Sequence, residues 1–140
     1  MADESNELRV RLVTPERILF EAPAAAVELP AKNGYMEVLY GHAPLLAELG
    51  AGDVRLHGGP DGDQIYNVSW GFVEVLPDRV TILANDALKP QEIDTNRAQQ
   101  QLDRGHKMWD EAGESEEAYT EALAVISEAE AKLATAQEKH

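Results

Sequence analysis

The chain has no cysteine, so it has no disulfide framework, no thiol nucleophile and no cysteine-ligated zinc, and its stability has to come from burial and backbone pairing. Basic side chains are scarce. Twelve Lys and Arg stand against 26 Asp and Glu in 140 residues, a net charge of −14. So negative a surface repels phosphate backbones and anionic lipid, which excludes nucleic acid and a basic membrane anchor and leaves proteins as partners. Long apolar runs are missing as well, since no stretch approaches the ~18 residues of a membrane span. Met1 to Glu7 are polar and acidic, and the expectation is a chain neither exported nor inserted by its own signals. There is no glycine-rich phosphate loop, no paired-histidine metal spacing and no nucleophile elbow. The four histidines, His42, His57, His106 and His140, are scattered. His42, between Gly41 and Ala43-Pro44, is the one in a specified setting, and a hydrogen bond that fixes its loop explains it better than acid–base chemistry.

What is present changes period near Pro90. Leu8, Val10 and Leu12 alternate with Arg9 and Arg11, and Pro15 ends that strand. Strand-length runs follow at Ile18 to Phe20, Ala24 to Leu29, Tyr35 to Leu39, Gly52 to Leu56, Ile65 to Trp70, Gly71 to Leu76 and Arg79 to Ala84. Turn signals separate them at Lys32-Asn33-Gly34, Gly58 to Asp63 and Pro77-Asp78. The pattern predicts a sandwich or barrel of short antiparallel strands over residues 1–88. Val73 and Val75 face one side and Phe72 and Leu76 the other, which predicts a central strand covered on both faces.

Residues 89–140 read as an antiparallel helical hairpin divided at Gly113, each helix reaching roughly 30 to 35 Å. Asp94 and Ser115 are the predicted caps, and Asp86 and Asp94 flank the domain junction, where capping and solvation explain both carboxylates without a cleft. Ala98, Leu102, Gly105, Trp109 and Ala112 form one stripe. Gly105 either weakens its helix by up to ~1 kcal/mol or permits close approach of a partner. On the second helix Tyr119, Ile126 and Leu133 recur every seven residues with Ala122, Ala129 and Ala136 between, a narrow seam. So thin a seam makes the hairpin's stability conditional on what it lies against.

Several stretches, in order, carry a family resemblance. Tyr40-Gly41-His42-Ala43-Pro44-Leu45-Leu46 is similar to the turn Pro-Gly-His-Ala-Pro-Leu-Leu of the epsilon subunits of rotary F-type ATP synthases. Val68-Ser69-Trp70-Gly71-Phe72-Val73-Glu74-Val75 resembles that family's Ser-Gly-Gly-Phe-Val-Glu-Val strand pair, and Val80 to Ala87 its exit strand. Glu92 to Ala98 matches at the helix start. The resemblance implies a non-catalytic central-stalk subunit with no cofactor, peripheral at the cytoplasmic face of the cell membrane and associated with it only through the complex. It implies a sandwich held by the gamma subunit and seated on the c-ring, with Gly34, Tyr35, Met36, Gly41 and His42 near the ring loops. Tyr35, Glu37 and Tyr40 depart from the family pattern.

It further implies a hairpin that in relatives moves between a compact form and one that reaches the alpha and beta subunits and restrains ATP hydrolysis. Ile93, Asp94, Arg97 and Ala98 reproduce a start pattern that in some relatives binds ATP as a regulatory ligand, although a cap and a solvated first-turn charge explain Asp94 and Arg97. From Ser115 onward two lysines face six glutamates, and Glu121 and Glu128 stand where strongly inhibiting relatives carry basic residues. Weak inhibition and weak ATP binding are therefore expected. The competing reading is a β-sandwich adaptor that binds a partner along the Tyr119, Ile126 and Leu133 face. An enzyme is the remotest.

Overall fold

In a computed structural model, which describes residues 7–138, the chain divides into two compact units, the first ending at Lys89 and the second beginning at Pro90. The first is built from seven strands: β1 (Leu8–Val13), β2 (Ile18–Ala24), β3 (Ala26–Ala31), β4 (Gly34–Leu39), β5 (Leu45–Gly59), β6 (Gly62–Leu76) and β7 (Arg79–Leu88). Their order is β2-β1-β7-β6-β5-β3-β4. Every neighbouring pair is antiparallel except β1 with β7, which run parallel.

The short runs at Gly52 to Leu56 and at Ile65 to Trp70 with Gly71 to Leu76 are parts of two 15-residue strands, β5 and β6. Each bends at its middle. The β5–β6 ladder pairs Leu49 with Gly71 and resumes at Ala51 with Ser69, and at the lapse Trp70 has φ 59° and Gly71 φ 130°. A side chain at Gly71 would run into the Leu83 carbonyl oxygen, so only glycine lets β7 lie this close. The bend turns one ladder into two facing layers, a sandwich. Leu8 and Leu12 of β1, Leu29 of β3, Leu49 and Leu56 of β5 and Ile82 of β7 meet fully buried between them. The Gly58 to Asp63 run is a tight turn around Pro60 and Asp61, its outer residues being absorbed into β5 and β6. β6 is central, yet Phe72 is half exposed, so the expectation of cover on both faces fails there. Asp86 flanks the junction from within β7, opposite Ser69.

In the second unit a 3-10 turn at Pro90–Glu92 leads to α1 (Thr95–Asp110) and α2 (Glu116–Gln137). Asp94 Oδ1 accepts from the Arg97 amide at 3.1 Å and Ser115 Oγ from the Ala118 amide at 3.1 Å, the two predicted caps. At ~1.5 Å per residue α2 reaches the predicted length, whereas α1 is shorter, about 24 Å. Among the described residues no helix is long and apolar enough to cross a membrane.

Candidate interaction site

Strand β4 carries most of the expected contact residues, and its alternation decides which of them face out. Val38 is buried and Met36 packs against the core, so the Met36 side chain braces the strand from inside. Tyr35 and Leu39 project outward. Tyr35 is 61% exposed but not loose: its hydroxyl accepts from the Asp53 amide at 2.9 Å, and its ring lies over Gly52, beside Pro30. A Cβ at residue 52 would collide with the Tyr35 hydroxyl, so glycine there makes room for the latch.

Gly41 and His42 follow the other end of β4, about 20 Å along an extended chain from Gly34. The five residues thus lie along one edge strand and its exit, and do not converge on a single point. The Gly41 amide donates to the Pro77 carbonyl at 2.7 Å, tying this connection to the β6–β7 turn, with Gly41 at φ 90°. The His42 amide donates to Leu39 O at 3.1 Å and its Nδ1 lies 2.7 Å from Ala43 O, so the imidazole holds its own loop. Around this connection Leu39, Tyr40, Leu45 and Leu46 are all exposed, Leu46 to 70%. They do not share one face: register sets Leu45 opposite the buried Val75, on the core side, and Leu46 opposite Glu74, on the outer side, so what the connection offers a partner is exposed apolar side chains on both sides of its end.

Sequence reasoning left His57 among scattered histidines. Register places it opposite Ala26, where its Nε2 reaches Glu28 Oε1 at 2.6 Å and its Nδ1 reaches Asp63 Oδ2 at 3.3 Å. The Glu28 carboxylate, helped by Asp63, holds the imidazole above its ordinary value against the opposing effect of desolvation. Asp63 is held below its ordinary value, first by the Gly58 amide donating at 2.9 Å and then by His57. The cluster pins β3 to the β5–β6 turn. A histidine at the mouth of a turn with an aspartate six residues on was the available signal, but Glu28 is distant in sequence.

Within the hairpin, Ile126 of the predicted seam is buried, and its Cγ1 would lie 2.7 Å from a Cβ at residue 105. Gly105 therefore serves the close approach of α1 to α2. Tyr119 and Leu133 are half-buried along the same seam. The Tyr119 ring meets Trp109 edge to face at 4.6 Å and its hydroxyl donates to Gly113 O at 3.0 Å. Glu128 does not present its charge outward as expected. Its Oε2 accepts from Lys132 Nζ at 2.9 Å and from Gln101 Nε2 at 3.3 Å, and Gln101 also donates to Val125 O. At the start of α1, Ala98 is buried, Ile93 half-buried, Arg97 exposed, and the Asp94 carboxylate is used by the cap. His140 lies outside the described residues.

A seven-stranded sandwich followed in the chain by a capped helical hairpin defines the class. Comparison gives the class its name: residues 7–90 match the family described as ATP synthase, Delta/Epsilon chain, beta-sandwich domain. The chain is 41% identical over 132 residues to the ATP synthase epsilon chain of Solibacter usitatus, covering 94% of this chain and 97% of that relative. It is 42% identical over 103 residues to the epsilon chain of Koribacter versatilis, covering 73% and 71%. A chain in the cryo-EM structure of the Euglena gracilis mitochondrial ATP synthase, OSCP/F1/c-ring in rotational state 1, shares the fold with a TM-score of 0.76 at 21% identity, over 92% of this chain and 81% of that one. The chain belongs to the ATP synthase epsilon chain family.

Proposed function

We propose that this chain is a non-catalytic rotor subunit of an F-type ATP synthase, held by the gamma subunit, seated on the c-ring, and peripheral at the cytoplasmic face of the cell membrane through the complex alone. The observation that carries the reading is the exposure of the large apolar side chains Leu39, Tyr40, Leu45 and Leu46 around the anchored Gly41–His42 connection, on a sandwich pinned by long-range backbone pairing. A linker that transmits torque needs a stiff body and contacts that do not slip, and close packing inside the sheet supplies the first. Gly34, the outer edge of Tyr35, Gly41 and His42 belong to the ring-facing side, with Met36 supporting them from the core.

The hairpin acts as a weak brake on hydrolysis. Its seam is occupied internally by Ile126 against Gly105, which speaks against an adaptor that docks a partner along Tyr119, Ile126 and Leu133. ATP is at most a weak regulatory ligand at Ile93, Asp94, Arg97 and Ala98, because a carboxylate committed to a helix cap is not free to hold a ribose. The test is co-purification of the full chain with gamma and c-ring of the same organism. Leu39→Ser with Leu46→Ser is expected to weaken ring association at least about tenfold while thermal unfolding stays unchanged. Undiminished association of the double variant would remove the loop from the interface.

A further inference from the structure

The turn Lys32-Asn33-Gly34 joins β3 to the edge strand β4, and its residues are held unequally. On one side the Lys32 amide donates to the Glu48 carbonyl at 2.9 Å, and the Lys32 ammonium pairs with the Glu48 carboxylate at 3.5 Å. On the other side the Tyr35 hydroxyl accepts from the Asp53 amide. Asn33 lies between these two anchors. It is exposed, and its carboxamide has no hydrogen-bond partner among the described residues. Gly34 has φ 135°, and a Cβ built there would meet nothing within 4 Å, so the Asn33–Gly34 peptide unit stands in open space.

That setting puts an electrophile beside a nucleophile. Rotation of the Asn33 backbone lets the Gly34 nitrogen close a five-membered ring on Asn33 Cγ, and with no side chain at residue 34 nothing obstructs the approach. Solvent base removes the Gly34 amide proton, the bond from nitrogen to Cγ forms, the bond from Cγ to the carboxamide nitrogen breaks, and ammonia leaves. Water then opens the cyclic imide. Attack at Cγ gives aspartate, whereas attack at the main-chain carbonyl gives isoaspartate, in which the chain runs through Cβ and Cγ and is one carbon longer. A water is consumed and an ammonia released, nothing is oxidised or reduced, and either product adds a negative charge. The other asparagines lack this combination. Asn67 is buried in β6, Asn85 lies in β7 and Asn96 in the first turn of α1, and the residues that follow them, Val68, Asp86 and Arg97, carry side chains, as does Glu7 after Asn6. Asp61-Gly62 has a similarly open glycine at φ 86°, but its imide forms by loss of water and reopens by gain of it, with no change of charge.

We propose that Asn33 is a self-modification site that converts through the cyclic imide to aspartate and isoaspartate, and that the isoaspartyl form loosens the Tyr35 latch. The added carbon falls between two fixed points, Lys32 on Glu48 and Tyr35 on Asp53. The single hydroxyl bond of Tyr35 gives before the backbone hydrogen bond and ion pair that hold Lys32. The proposal stands apart from the stalk reading, because the chemistry needs this chain alone.

Incubation of the folded full chain in mildly alkaline buffer tests it, read by peptide mapping with mass measurement and by labelling with an isoaspartyl methyltransferase and radioactive S-adenosylmethionine. The peptide carrying Asn33 is expected to gain the mass of deamidation at least about tenfold faster than those carrying Asn85 or Asn96, and to take the methyl label. Asn33→Gln, which would need a larger ring, is expected to abolish both signals in that peptide while melting as the parent does. Exchange of the Asp53 amide is expected to be faster in isoaspartate-rich chain than in Asn33→Asp, which has the charge without the added carbon. Conversion at Asn33 no faster than at Asn85, or methyl label confined to Asp61, would overturn the site. Equal Asp53 exchange in the two forms would overturn the coupling to Tyr35.

Discussion

A single hydroxyl shows how a side chain can be exposed and still committed. Tyr35 holds the amide of Asp53, a residue only 7% exposed, so Tyr35→Phe keeps the ring over Gly52 but strips that amide of its partner. Chemical denaturation is expected to show a loss of about 1 to 3 kcal/mol, with ring association changed little. At Gly71 the expected cost is larger, because Gly71→Ala meets the Leu83 carbonyl at φ 130°, and a loss on the order of 3 kcal/mol or a failure to fold should follow. His57 gives a pH dependence of defined sign. Its proton is held more tightly in the folded chain, so the contribution is complete below the ordinary value of 6.5 and disappears as pH rises through the folded-state value. Asp63, held low, contributes above its ordinary 3.8 and loses that contribution as pH falls below it. Wild type should therefore exceed His57→Gln in melting temperature by more at about pH 5.5 than at about pH 8.5. A difference that grows toward alkaline pH would contradict the pin.

Among the elements, the two helix caps and the Gly113 break were legible because their determinants are local: a side-chain oxygen and an amide three residues on, or a glycine at φ 64°. Asp94→Ala should lower the stability of α1 by about 1 kcal/mol, seen as faster amide exchange in its first turns. Gly105→Ala tests the crossing. Intrinsic propensity favours alanine by about 1 kcal/mol, but its Cβ would sit 2.7 Å from Ile126 Cγ1, so net destabilisation of the hairpin is expected. The long strands were less legible. Gly50, Trp70 and Gly71 break the apolar alternation where β5 and β6 bend, and periodicity alone reads each bent strand as two. The first half of β5, Leu45 to Leu49, hides its alternation because the outward Leu46 stands between the inward Leu45 and Ala47, so three consecutive apolar residues carry no period of two. The same conflict hid the pairing of Phe72 with Leu83. An exposed apolar residue looks like core until register shows which way it points.

For the whole molecule, a β unit and a helical unit follow one another along the chain, and the charge of the second bears on the weak brake proposed for it. Glu128 is paired with Lys132, yet Glu116, Glu117, Glu121 and Glu130 remain exposed on α2, so under the proposed stalk reading the helix would be repelled by an acidic surface. Removing the residues beyond Asp94 should change ATP hydrolysis by the assembled soluble sector less than about twofold, and a large activation on truncation would show a stronger brake than this charge pattern supports. The parallel pairing of β1 with β7 has a consequence for biosynthesis. The first strand to leave the ribosome waits about seventy residues for its inner neighbour, holding one flank of its ladder open through most of translation. Nascent chains stalled before Leu88 should therefore recruit chaperones or aggregate, while those released after it close the sheet and need no help.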